Sequence, residues 1–113
     1  MSETTIALLI CAATGLMLIA LCLPMALQKI KPNGWYGFRT PKTLSNEKIW
    51  YEANCIAGID LSLAGVLTVF TAIALFPLSV FLSAKQTIIV MVVVTIGSLW
   101  GAVIHSFIAL RRL

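Results

Sequence analysis

Three long apolar runs separated by one polar interruption organise the chain. Residues 5–27 carry no charge, with Glu3 before them and Lys29 after. Residues 50–76 are apolar apart from Glu52, Asn54 and Asp60. Residues 86–110 are uncharged between Lys85 and Arg111 except for His105. At ~1.5 Å per residue each run reaches roughly 35 Å or more as a helix, enough to cross a hydrocarbon core about 30 Å thick. The pattern predicts an all-α membrane protein with transmembrane helices over 5–27, 50–76 and 86–110. The Ile- and Val-rich stretch 88–94 would suit a strand, but the run around it is too long for one. Pro24 falls near the end of the first run, where a kink is tolerated, and Pro77 stops or bends the second.

Composition agrees with this reading. The chain has 113 residues, of which 60% are hydrophobic and only 11% charged, against about a quarter charged in a soluble domain. Its mean hydropathy is +1.02. Three spans and the loop 28–49 use up residues 1–113, so a single membrane domain is expected. The first run is longer than the ~7–15-residue core of a signal peptide and has no basic segment before it, so it is read as a retained span. Cys11, Cys22 and Cys55 lie in or beside apolar segments and form no Cys-x-x-Cys pair. They read as small packing residues.

The net charge of +4 does not imply nucleic acid, because the basic residues flank the apolar runs. Lys29, Lys31, Arg39, Lys42 and Lys48 fall in the first loop and Arg111 and Arg112 at the C-terminus, whereas the second loop has only Lys85. By the positive-inside rule the first loop and the C-terminus lie in the cytoplasm and the N-terminus outside.

The first loop is far longer than the ~2–8 residues that join helices in a bundle. Lys31-Pro-Asn-Gly34 reads as a turn leaving the first span. Trp35, Tyr36 and Phe38 suit the membrane interface, and Gly34 and Gly37 allow a tight bend. Arg39 carries a planar donor fork that fits a phosphate, a carboxylate or carbonyl oxygens. Thr40-Pro41 ends whatever regular structure precedes it. Thr43 or Ser45 then caps a new helix, with Glu47 in its first turn, and the second segment starts near Leu44. The loop is either a plain connection with aromatic anchors or a surface with a task of its own.

Two polar groups lie inside the spans. An acid at Asp60, roughly 15 Å along the helix from Trp50, costs at least ~2.5–3.5 kcal/mol by insertion scales and has to be protonated, paired or turned to water. His105 lies about 9 Å from Arg111, so the two could meet at similar depth. Helical periodicity speaks against that contact. Asn54, Gly58, Ser62, Gly65 and Ala72 share one stripe, with Glu52, Ile56, Asp60, Leu63 and Leu67 roughly opposite. Gly97-x-x-x-Gly101 continues to His105 on the third segment. Packing the two small stripes together turns Asp60 away from His105, toward the first segment, Arg39 or another subunit. The first segment has its own small stripe at Ala7, Cys11, Gly15 and Cys22. His105 also reads as a plain interhelical hydrogen bond and Asp60 as a structural polar contact, with Asp60 the stronger functional candidate because intramembrane acids are functional by default.

No catalytic constellation, metal-ligand spacing or glycine-rich phosphate loop is present. The expectation is a protein that is not an enzyme and needs no cofactor or metal.

The stretch Tyr36-Gly-Phe-Arg-Thr-Pro-Lys-Thr-Leu-Ser-Asn-Glu-Lys-Ile-Trp50, followed by Asn54 and Gly58, resembles the signature of the SdpI family of bacterial integral membrane proteins, and the three-span plan fits the family's shared region. By position the resemblance singles out Gly37, Phe38, Arg39, Thr40, Pro41, Thr43, Leu44, Ser45, Trp50, Asn54 and Gly58. Lys48 stands where an acid is common. The best-known member is similar to an immunity protein: it protects a producing cell from its own toxic peptide and holds a transcriptional repressor at the membrane. Longer members have further N-terminal spans, so the repressor role is not carried over. The resemblance implies an inner-membrane protein that protects against, or senses, a membrane-active toxin peptide through Gly37–Trp50. Its partners would be the bilayer, a toxin peptide or a cytoplasmic regulator, and a second copy of itself. Two other readings stand beside it: a small oligomeric transporter or channel using Asp60 and Glu52, and a structural docking protein.

Overall fold

The computed structural model describes residues 2–113. Among these, four helices and no strands occur: α1 Glu3–Ala26, α2 Pro41–Leu44, α3 Glu47–Leu78 and α4 Ala84–Arg111. The three long ones are each long and apolar enough to cross a membrane. They run up, down and up in a bundle 52 Å long and 22 × 18 Å across. Leu16, Met17, Phe70, Ile73 and Val93 stand on its outside. Such a surface suits hydrocarbon rather than water, and the chain is a multi-pass membrane protein.

Local chemistry sets the helix ends. The Ser2 hydroxyl accepts from Thr5 N–H at 3.1 Å and starts α1. At its other end Gln28 takes a left-handed φ of 59°. Gln28 N–H then reaches Met25 O at 3.1 Å and Lys29 N–H reaches Pro24 O at 3.0 Å. This double closure satisfies the last carbonyls. Pro24 is accommodated inside the helix.

The start of the second segment differs from expectation. Neither Thr43 nor Ser45 caps it. Thr40 caps the separate short helix α2, with Pro41 at its first position, and Asn46 caps α3 by accepting from Lys48 and Ile49 N–H. Glu47 is in the first turn of α3, as expected. Pro77 lies within the last turn and α3 ends one residue later. Ser83 and Gln86 form a reciprocal capping box that begins α4 at Ala84.

The packing also differs from expectation. Gly58 and Gly65 meet α1, not the Gly97–Gly101 ridge of α4. A Cβ on Gly58 would fall 2.3 Å from Ala26 N and 2.7 Å from Cys22 O. Gly15 and Gly65 face each other, each one's carbonyl oxygen 2.7 Å from where the other's Cβ would be. By contrast a Cβ on Gly97 or Gly101 meets nothing within 4 Å. The small stripe of α3 therefore pairs with the stripe of α1 at Gly15 and Cys22. This leaves the flank of α3 that carries Asp60 to α4. Two apolar clusters fill the bundle: Leu8, Ala72, Leu75 and Met91 at the N-terminal end, and Cys22, Met25 and Ala57 at the loop end. Cys11, Cys22 and Cys55 are unbridged thiols.

Candidate functional site

Residues 28–46 fold back onto the ends of α1, α3 and α4. Asn33 makes the first turn, its carboxamide oxygen accepting from Trp35 and Tyr36 N–H and its amide donating to Lys31 O. Tyr36 and Phe38 then point inward and pack on the Cys22–Met25–Ala57 cluster, so they are part of the core rather than interfacial anchors. The Tyr36 hydroxyl donates to Leu21 O, one turn before Pro24. Partial burial pushes the Tyr36 phenol above its ordinary range, which keeps it a donor. Only Trp35 of the three stands free, at 83% exposure.

Asn54 holds the centre. It is 1% exposed and uses its whole carboxamide. Phe38 N–H donates to its oxygen at 2.7 Å, while its amide donates to Phe38 O at 3.3 Å and to Trp50 O at 2.9 Å. Gly37 makes this approach possible. Its φ is +111°, and a Cβ there would lie 2.7 Å from the Asn54 oxygen and 3.3 Å from the Trp50 ring. Trp50 is fully buried and donates from its indole N–H to Ile30 O at 2.8 Å. The backbone groups of a buried loop have to find partners, and these two side chains of α3 supply several of them.

The second half of the loop is α2. Thr40 and Thr43 cap one another: Thr43 N–H donates to the Thr40 hydroxyl at 3.1 Å, and Thr40 N–H to the Thr43 hydroxyl at 2.7 Å. Thr43 is buried, whereas Leu44 and Ser45 are exposed. Ser45 donates to Lys42 O. Lys42 reaches across to α4 and donates to Leu110 O at 2.8 Å. Phe38 meets Phe107 of α4 edge-on, with ring centroids 5.0 Å apart. Arg39 donates to Gly34 O and is otherwise exposed. Among the described residues no carboxylate pairs with it.

Beneath the loop lies an apolar cavity of about 370 Å³, walled by Leu21, Cys22 and Met25 of α1, Tyr36 and Phe38 of the loop, Ala57 and Leu61 of α3, and Val103, Ser106 and Phe107 of α4. Its size falls within the range of small-ligand pockets.

Deeper in the bundle Asp60 and His105 do meet, against the helical-face argument. His105 Nδ1 is 2.7 Å from Asp60 Oδ2, and the Ser106 hydroxyl donates to the same oxygen at 2.9 Å. The packing on which that argument rested does not form, because α3 turns its small stripe to α1. Asp60 thus faces neither α1 nor Arg39. It borders a groove of about 270 Å³ between α3 and α4, beside Ser98 and Gly101. Glu52 does not share this groove; it lies 4.0 Å from Lys48 near the start of α3. Among the described residues, no three or more His, Cys, Asp or Glu side chains gather where a metal ion could be held.

The turn expected at Lys31–Gly34 forms, closed by Asn33, whereas Ser106, the Asn46 cap and the Lys42–Leu110 bond go beyond the sequence expectations. Thr40 before Pro41 is a visible cap signal, as is Ser83-x-x-Gln86. Nothing local marks Ser106 or Lys42.

The family model of the SdpI/YfhL protein family matches residues 29–106. The match takes in the loop, α2, α3 and most of α4. No match to a curated protein or to a solved structure was found.

Proposed function

The chain belongs to the SdpI/YfhL protein family, and from that membership we propose that it protects a bacterial cytoplasmic membrane against a membrane-active toxin peptide, or senses that peptide, through the loop Gly37–Trp50. The loop and the C-terminus face the cytoplasm in this reading. Seven basic residues gather at that end of the bundle and only Lys85 at the other, as the positive-inside rule asks. No reaction is assigned; the protein acts by binding.

The observation that carries the proposal is the double character of the loop. Asn54, Trp50 and Gly37 fix its backbone to α3, while the side chains of Arg39 and Trp35 stay exposed and Tyr36 and Phe38 border an apolar cavity. An exposed cation on an anchored loop that also borders an apolar recess suits a peptide with apolar side chains and a carbonyl or carboxylate to grip. Expression of the intact chain in a toxin-sensitive host tests this. Survival at toxin doses that kill the host alone is the expected outcome, and unchanged sensitivity to every peptide of this type counts against it.

One observation favours a second reading, a small oligomeric transporter or channel. Asp60, bonded to His105 and Ser106, borders a groove within the membrane-spanning part of the bundle, and intramembrane acids mark ion pathways by default. Flux into proteoliposomes that disappears in Asp60→Asn would favour it.

A further inference from the structure

We infer that the outer face of α4, beside α2, seats an anionic phospholipid of the surrounding bilayer. An apolar groove of about 690 Å³ runs along this face. Trp100 closes one end, Lys42 and Arg111 the other, and Ile104, Phe107 and Ile108 line the length between. The distance from Arg111 to Trp100 is roughly 16 Å along the helix, close to half of the ~30 Å hydrocarbon core. The groove therefore has the reach of one acyl chain in one leaflet, with both cations where the headgroup would sit.

The charge at the polar end is uncompensated. Lys42 gives one hydrogen to Leu110 O and keeps two. Among the described residues no carboxylate pairs with Lys42 or Arg111. A phosphodiester between them accepts from both, and each cation near a membrane surface is worth roughly fivefold in affinity for an anionic lipid. Phe107 is a fixed wall, because Phe38 stands edge-on against it. A peptide would need partners for its own backbone along the groove, whereas the residues between its two ends are apolar. An acyl chain needs none. The inference stands independently of the toxin-binding reading.

The test uses the full chain in mixed bilayers of phosphatidylglycerol and phosphatidylcholine, with bromine on the acyl chains of one lipid or the other. Tryptophan quenching stronger with brominated phosphatidylglycerol is the expected result. The preference disappears in Trp100→Phe and falls roughly fivefold in Arg111→Gln. Arg111→Gln leaves the Lys42–Leu110 bond intact, and helix content by circular dichroism confirms that the variant is folded. Equal quenching by the two lipids overturns the inference. So does a preference that is undiminished in Arg111→Gln or persists in Trp100→Phe. Loss of the preference on adding inorganic phosphate alone also overturns it, since that result describes a bare anion site without the acyl groove.

Discussion

His105 Nδ1 stands 2.7 Å from Asp60 Oδ2 and ties α4 to α3 within the membrane-spanning part of the bundle. The two side chains differ in surroundings: Asp60 is 14% exposed and His105 65%. Ser106 gives the carboxylate a second partner, so removing His105 alone does not leave Asp60 bare. Thermal unfolding in detergent of Asp60→Asn, His105→Ala and the double variant measures the bond. Residues that touch in this way couple by about 0.5–3 kcal/mol, so the double variant is expected to lose less than the two singles together. Simple additivity would mean that the contact contributes nothing.

The Asn54–Phe38 bonds predict that the loop fails as a unit. Gly37→Ala places a Cβ against the Asn54 oxygen at a left-handed φ and should cost about 1–3 kcal/mol. Asn54→Leu strands Phe38 N–H and Phe38 O, at about 1–3 kcal/mol for each group left unsatisfied. Limited proteolysis reads both: cleavage between residues 29 and 46 should accelerate in each variant, while α4 keeps its protection. Resistance equal to that of the parent chain would show that the loop does not depend on this carboxamide.

Glycines that look alike in the sequence should behave oppositely. Gly58→Ala drives a methyl group into the α1 backbone near Ala26, and overpacking of this kind costs about 1–3 kcal/mol or more. Gly101→Ala meets open space and gains up to ~1 kcal/mol of helix propensity. Melting temperatures of the two variants should move in opposite directions. A matching loss in both would place a close partner on the α4 ridge.

This contrast marks the limit of what the sequence reveals. Spans are legible because hydropathy is a property of the run itself, and the family resemblance singles out Gly37, Trp50, Asn54 and Gly58. Partner choice is another matter. The stripe at Gly58 and Gly65 suits either Gly15 or Gly97-x-x-x-Gly101, and only the approach of whole helices selects Gly15. The error then propagates, since it turned Asp60 away from His105. Tyr36 and Phe38 suit an interface equally well until the turn at Asn33 and the positive φ at Gly37 point them inward.

Burial raises the Tyr36 phenol above its usual value, which is about 10. A group raised on folding contributes its stability fully below its unfolded pKa and loses it as pH rises through the folded one. The Tyr36–Leu21 bond should therefore hold through neutral and mildly alkaline pH and loosen only above about 10. Phenolate absorbance should show a late transition that is missing in Tyr36→Phe. A Tyr36 transition below the ordinary range would contradict the buried placement.

In the proposed function the loop is a fixed scaffold that presents Arg39 to a toxin peptide. Dose–response curves of a toxin-sensitive host test it most directly, comparing the intact chain, Arg39→Gln and Gly101→Ala at matched membrane abundance. The account predicts that the parent chain and Gly101→Ala protect equally and that Arg39→Gln protects at least about tenfold less, the loss of one charge-assisted hydrogen bond of ~1.5–3 kcal/mol. Undiminished protection by Arg39→Gln would contradict it.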